Sequence, residues 1–297
     1  MDKHRYTVIV SSCDKYEDLW EPFFKILKTE WKELGEKQIP IILNTEEKAF
    51  EYEGLNIRTL GLCKNGVILS WTARLRATLE SIDTDYIILL LDDFFMQDPV
   101  KTEKISQYIK WMDENPRIST FCFKETYASK NIRDGKYEGF ERRPLIGQYK
   151  FNCQAGLWRR DRLIEYLKKD ENPWEWETIG NWRSYRHPSH LFYSHIPGVE
   201  HVFPYTYEIS GTVFWGSGVY RGRWFVPSVD PVFKKHGINI DYSIRGTVSE
   251  KEFGVVKKRE DAPMWKQKLW FLRPVYCSMV NAMNKFQLVL THLDHFF

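Results

Sequence analysis

Tyr86-Ile87-Ile88-Leu89-Leu90-Leu91-Asp92-Asp93-Phe94-Phe95 decides the fold class. The run from Tyr86 to Leu91 is short, wholly apolar and bounded by aspartates, the mark of a strand buried on both faces of a parallel sheet. Before it, the β-branched stretch Tyr6 to Val10 ends at Ser11, Ser12, Cys13 and Asp14. Leu19, Trp20, Phe23, Phe24, Ile26 and Leu27 then recur at helical spacing, so the order is strand, loop, helix. Further strands are expected at Ile39 to Leu43 and Leu55 to Leu60, and an amphipathic helix over Val67 to Ile82 with Trp71, Leu75 and Leu79 on its stripe. After Asp93 come a helix from about Thr102 to Met112 and a strand at Ile118 to Phe123. Strands alternating with helices give an α/β sandwich with a doubly covered sheet.

Past Tyr127 the periodicity weakens. The polar, Gly/Arg-containing segment from Lys130 to Phe151 reads as an excursion over a site. A helix is expected from Arg160 to Lys168 and a second helical piece from about Pro173, followed by short strands and loops from His187 to Arg245. No Pro/Gly/Ser-rich linker divides the chain. The expectation is therefore one domain over residues 1–250, with a nucleotide-binding half (1–125) and an acceptor or catalytic half (126–250), and an appended tail (251–297).

With 43 Lys and Arg against 40 Asp and Glu, the net charge is +3, which argues against a dedicated nucleic-acid binder. No apolar stretch has the length of a membrane span, and the first residues lack the apolar core of a signal peptide. Five cysteines without a CxxC pair suggest neither a disulfide framework nor a cysteine zinc site. Together these point to a protein of the reducing cytoplasm. The aromatic content of 16% suits sugar stacking and large aromatic cores about equally, so it does not discriminate. Residues 257–297 hold seven basic side chains against three acidic ones, interleaved with Trp265, Trp270, Phe271 and Tyr276. An amphipathic helix on an anionic membrane surface fits that pattern, as does a helix packed on the main domain or on a second copy.

Chemistry is concentrated in two motifs. Asp92 and Asp93 stand at the carboxyl end of a buried strand, where α/β sheets bind ligands. Neighbouring strand residues point opposite ways, so the two carboxylates serve one site only if the chain turns there. One could bind Mn²⁺ or Mg²⁺ and the other a ribose or sugar, or both could hold the ion; the alternative is a pair capping the turn. In Pro173-Trp174-Glu175-Trp176-Glu177, carboxylates beside indoles could supply a general base with a raised pKa next to a ring platform for a sugar. Acids at a helix start beside core tryptophans are the other reading. Arg74 and Arg76 lie on the helix that leads into the Asp-Asp strand, placed either to reach a diphosphate or to be solvated. His187, His190, His195 and His201 crowd a short span without matching an established zinc spacing. There is no GxGxxG, GxxxxGK[ST], HExxH or GxSxG motif.

In this order the residues resemble bacterial GT-A glycosyltransferases of surface-polysaccharide assembly: Thr7 through Tyr16, then Trp71 through Leu75, then Tyr86 through Asp93, then Asn172 through Glu177. That family carries an Asp-X-Asp-type motif after a hydrophobic strand, to which Leu91-Asp92-Asp93-Phe94 is similar, although the pair here is Asp-Asp-Phe. The resemblance covers roughly residues 5 to 245 and implies a Rossmann-like sandwich. It implies that Ser11, Ser12 and Asp14 hold the nucleotide base and that Arg74 touches the nucleotide. Asp92 and Asp93 would hold Mn²⁺ or Mg²⁺, and Glu177 or Glu175 would act as base, with Trp174 and Trp176 as acceptor platform. The implied activity is transfer of a sugar, from a UDP-sugar by preference, to a glycan or lipid-linked glycan of a capsule, O-antigen or lipooligosaccharide at the inner leaflet. The rivals are a nucleotidyltransferase using the same acidic pair, for which Lys15 is the one basic residue in the first loop, and a non-catalytic carbohydrate-binding protein.

Overall fold

The computed structural model describes residues 4–63, 66–126, 131–145, 147, 149–168, 170–205, 207–209, 212–214, 217–249 and 252. The tail reading for 257–297 lies outside the described residues. Eight strands form one sheet: β1 (Tyr6–Ser11), β2 (Ile41–Asn44), β3 (Ile57–Thr59), β4 (Tyr86–Leu91), β5 (Ile118–Cys122), β6 (Phe140–Arg142), β7 (Gly156–Arg159) and β8 (Leu191–His195). Their order across the sheet is β3-β2-β1-β4-β7-β5-β8-β6. β1 to β4 are parallel, β7 runs antiparallel between β4 and β5, β8 is parallel to β5, and β6 closes the edge antiparallel to β8. The carboxyl ends of β1, β2, β4, β5 and β8 therefore share one edge with the amino end of β7.

Strand alternation sorts the core into two layers. Val8, Val10, Ile88 and Leu90 pack with Leu19 and Phe23 of α1 (Glu17–Glu30), Ile105 and Met112 of α4 (Thr102–Glu114), and Phe233 of α7 (Val226–Lys235). A short α2 (Glu33–Glu36) adds Leu34 to that layer. Ile9, Ile87 and Leu89 meet the opposite layer: Leu75 and Leu79 of α3 (Trp71–Glu80), Leu163 and Tyr166 of α5 (Arg160–Tyr166), and Trp176 of α6 (Pro173–Thr178). A final α8 (Tyr242–Arg245) lies near β1's outgoing loop, where Arg245 donates to Lys15 O at 3.2 Å. The result is a Rossmann-like α/β sandwich with a mixed sheet.

Several boundaries differ from the sequence reading for local reasons. α3 starts at Trp71 and not at Val67, because Ser70 caps it, accepting from Ala73 N at 3.2 Å. Val67 and Ile68 are left exposed in front of that cap. The excursion at 130–151 contributes strand β6 to the sheet edge, and β7 was hidden in Gly-Leu-Trp-Arg, too short to show alternation. Helix α7 lies in the region read as strands and loops, since Pro227 in its first turn and Pro231 inside it mask a helical pattern.

Aromatic abundance is largely a core property. Phe121 is fully buried, with its ring 4.7–5.9 Å from those of Tyr108, Trp111, Tyr137, Phe140 and Tyr193. Phe121→Ala should cost about 3–5 kcal/mol, the range for an unrelaxed aromatic cavity. Chemical denaturation followed by far-UV circular dichroism measures that loss as a lower midpoint at unchanged slope.

Candidate functional site

The carboxyl edge begins with the loop after β1. Ser11 accepts a hydrogen bond from Trp71 Nε1 at 2.7 Å, which fixes the start of α3 against β1. Ser12 Oγ accepts from Trp20 Nε1 at 2.8 Å and donates to the Asp92 carboxylate. Asp14 is committed elsewhere: its oxygens accept from the backbone N–H of Glu46, Glu47 and Lys48 at 3.0–3.2 Å, tying the β1 and β2 loops together. Arg74 is buried and spans the same loops, pairing with Glu46 at 2.8 Å and donating to Leu69 O at 3.0 Å and Ser12 O at 3.4 Å. Arg76 points away, into the carbonyls that end α5.

Residues 92 and 93 form a turn directly after β4, which meets the condition for two adjacent carboxylates to face one edge. Asp92 is buried beside Ser12. Burial, then the neighbouring Asp93, push it well above the ordinary carboxylate range, against the hydrogen bonds from Ser12 and Trp20. Asp93 accepts from Ser217 Oγ at 3.0 Å, and burial raises it to about 6. No side-chain cation pairs with either aspartate among the described residues, although the field of Asp92 reaches Arg245. Hard oxygen donors whose negative charge is left uncompensated fit a divalent cation.

Helix α6 is over-determined by its sequence. Pro173 occupies the first turn, and Asn172 and Glu175 form a reciprocal capping box, each side chain accepting from the other's N–H at 3.0 and 2.8 Å. Glu175 is thus engaged in starting the helix. Glu177, one helical step past Trp176, is half-buried. Its Oε1 accepts from Cys153 N at 2.7 Å, and burial raises its pKa. Cys153 precedes β7, whose Gly156 pairs with Leu89 of β4, so Glu177 comes to the same edge as Asp92. Trp174 is 74% exposed, as a platform requires. Trp176 departs from its expected role, because it is fully buried among Trp71, Phe151 and Trp158 and donates Nε1 to Tyr166 O at 3.2 Å. No ring face remains for a sugar.

Other residues at this edge escaped the sequence reading. Glu46 and Ser217, partners of Arg74 and Asp93, gave no local signal. Lys124 and Glu125 did: they follow β5 as Asp92 and Asp93 follow β4. Lys124 Nζ lies 3.7 Å from the centre of the Tyr205 ring, and burial lowers its pKa to about 7. An open cleft of about 370 Å³ lies at the other, amino edge, against Tyr6 and Ile39, away from these groups.

No family model matches the chain, and no curated protein matches its sequence. Among solved structures, the chain is similar to S. aureus TarS in complex with UDP-GlcNAc, at TM-score 0.41 and 11% identity over 67% of this chain and 60% of that one. Mannosyltransferase PcManGT from Pyrobaculum calidifontis, in complex with GDP-Man and Mn²⁺, gives TM-score 0.37 and 13% identity over 56% of this chain and 47% of that one. A cytidylyltransferase from Leptospira borgpetersenii gives 0.40 and 9% over 83% and 99%. Likeness of this degree says nothing about activity.

The capping geometry separates the two glutamates. Glu175→Ala should lower stability by about 1 kcal/mol, a fall of roughly 2–4 °C in the thermal midpoint, because the Asn172 N–H loses its acceptor. Glu175→Gln keeps an acceptor oxygen and should leave the midpoint unchanged. Differential scanning fluorimetry checks both.

Proposed function

We propose that the chain is a GT-A-type glycosyltransferase that takes a sugar from a nucleotide sugar, a UDP-sugar by preference, and passes it to a surface-glycan acceptor. The observation that supports this best is the Asp92-Asp93 turn at the carboxyl edge, flanked by the β1 loop on one side and Glu177 on the other. Asp92 and Asp93 would hold Mn²⁺ or Mg²⁺, which offsets the charge gathering on a diphosphate leaving group. The β1 loop, with Ser11, Ser12 and Asp14, is the proposed seat of the nucleotide, and Arg74 braces that loop from beneath.

Glu177 is the proposed general base. Oε1 is held by Cys153 N, so Oε2 is the atom assigned to take the proton of the acceptor hydroxyl. Its raised pKa makes the carboxylate a stronger base than an exposed glutamate. Single displacement with inversion is the proposed course, with Glu177 as its one base. Trp174 is the proposed ring platform for the acceptor. The basic, aromatic segment 257–297 is the proposed contact with an anionic inner leaflet.

Thermal denaturation with UDP, GDP, CDP, ADP, dTDP and CTP, with and without Mn²⁺, tests the donor site, since a ligand of the folded state raises the midpoint. UDP with Mn²⁺ should give the largest rise, and Asp93→Asn should remove the metal-dependent part. A rise confined to CTP would transfer the reading to nucleotidyl transfer, and no rise with any nucleotide would defeat both. Glu177→Gln should keep the UDP shift while lowering transfer at least ~100-fold. Transfer in the wild type should fall as pH drops through the raised pKa of Glu177, an acid limb above the ordinary glutamate range, because only the carboxylate accepts a proton. Transfer surviving in Glu177→Gln would remove Glu177 as base.

A further inference from the structure

The four histidines between 187 and 201 separate in space into two groups, each with one glutamate. His187 and His190 stack at 4.9 Å beside Glu165, whose Oε1 lies 3.1 Å from His187 Nε2. His195 and His201 meet Glu125 at the carboxyl edge of the sheet. The topology dictates this second meeting: Glu125 lies three residues past β5, His195 ends the parallel neighbour β8, and His201 returns on the segment that follows. The rings of His195 and His201 are 4.7 Å apart, and His201 Nε2 stands 2.9 Å from Glu125 Oε1. One donor atom from each of the three residues lies within 4.8 Å of the others.

His195 is 1% exposed, and among the described residues neither of its ring nitrogens has a hydrogen-bond partner of normal geometry, the backbone of Ile196 and Glu200 acting on the ring only in weaker geometry. A buried imidazole left this way is costly, and coordination would satisfy it. We propose that Glu125, His195 and His201 bind a divalent transition-metal ion of the zinc class, at a site separate from Asp92 and Asp93. Two imidazoles and one carboxylate suit a borderline ion such as Zn²⁺, whereas Mg²⁺ and Ca²⁺ prefer oxygen alone. With bonds of about 2.0–2.2 Å, tetrahedral ligand atoms stand roughly 3.3–3.5 Å apart, so small side-chain rotations close the site. His201 Nδ1 faces Lys124 Nζ at 3.4 Å, so the other ring nitrogen, Nε2, is the one turned to Glu125. Three protein ligands leave a fourth position for water. The site does not depend on the glycosyltransferase reading.

Full-length protein stripped with a chelator and titrated with Co²⁺ tests it. One equivalent should give the visible absorption of a low-coordinate nitrogen/oxygen site, and one equivalent of Zn²⁺ should displace it. Glu125→Gln and His201→Gln, which preserve side-chain volume, should weaken Zn²⁺ binding at least ~10-fold, the least that losing even an outer partner costs. His187→Gln and Asp93→Asn should not change it. Circular dichroism confirms that each variant is folded, and His195→Gln is scored only if it is. The proposal is overturned by absence of stoichiometric Zn²⁺ binding in the wild type. It is equally overturned by binding that folded Glu125→Gln and His201→Gln leave intact, or by loss in His187→Gln or Asp93→Asn.

Discussion

A strand covered on both faces can carry charge only at its ends. Ile87, Ile88, Leu89 and Leu90 are buried under helices from both layers, so the first polar positions open to β4 after Leu91 are Asp92 and Asp93. The same rule places Ser11 at the end of β1 and Ser12 after it, Lys124 and Glu125 after β5, and His195 at the end of β8. Because these four strands run the same way, one edge of the sheet receives every such group. Sheet direction, more than any single contact, is what assembles the site.

Charge compensation then divides that edge into braced groups and uncompensated ones. Arg74 and Glu46 are both largely buried, yet they neutralise each other at 2.8 Å, and Asp14 has its oxygens satisfied by three backbone N–H groups. These are the marks of groups that hold loops in place. Asp92 and Asp93 differ, because each has a hydroxyl donor and, among the described residues, no side-chain cation, and burial drives both pKa values up. Glu177 shares that condition: the backbone and thiol of Cys153 are its hydrogen-bond partners, and burial still raises its pKa. Uncompensated carboxylates persist in a fold at a cost, and the cost is explained when a cation or a proton is what they await.

The parts of this fold legible from sequence are those where one period dominates. β1, β4 and α4 were placed closely because apolar runs or stripes of five or more residues leave no competing assignment. β6, β7 and α7 were not, since three- and four-residue strands have no measurable alternation and Pro231 breaks the helical pattern. At the carboxyl edge, the positions of Asp92, Asp93 and the β1 serines are legible because they end or follow readable strands. Trp176 was misassigned because the burial of a tryptophan depends on which helix face meets the sheet, a tertiary fact. Glu46 and Ser217 matter only through partners 28 and 124 residues away, and no local pattern encodes that.

The misassignment of Trp176 also explains the placement of Glu177. On α6, successive side chains are turned by about 100°, so burying residue 176 turns residue 174 outward and sets residue 177 on the flank. Trp176 is wedged against Trp71, whose own indole donates to Ser11, so the β1 loop, α3 and α6 are linked through two contacting indoles. The proline and capping box leave α6 little freedom to start elsewhere. Glu177 therefore meets Cys153 N by the same packing that holds Ser11, and the residue proposed as base is tied to the β1 loop through the core. A tryptophan read as a ligand platform is instead the core contact that joins α6 to α3.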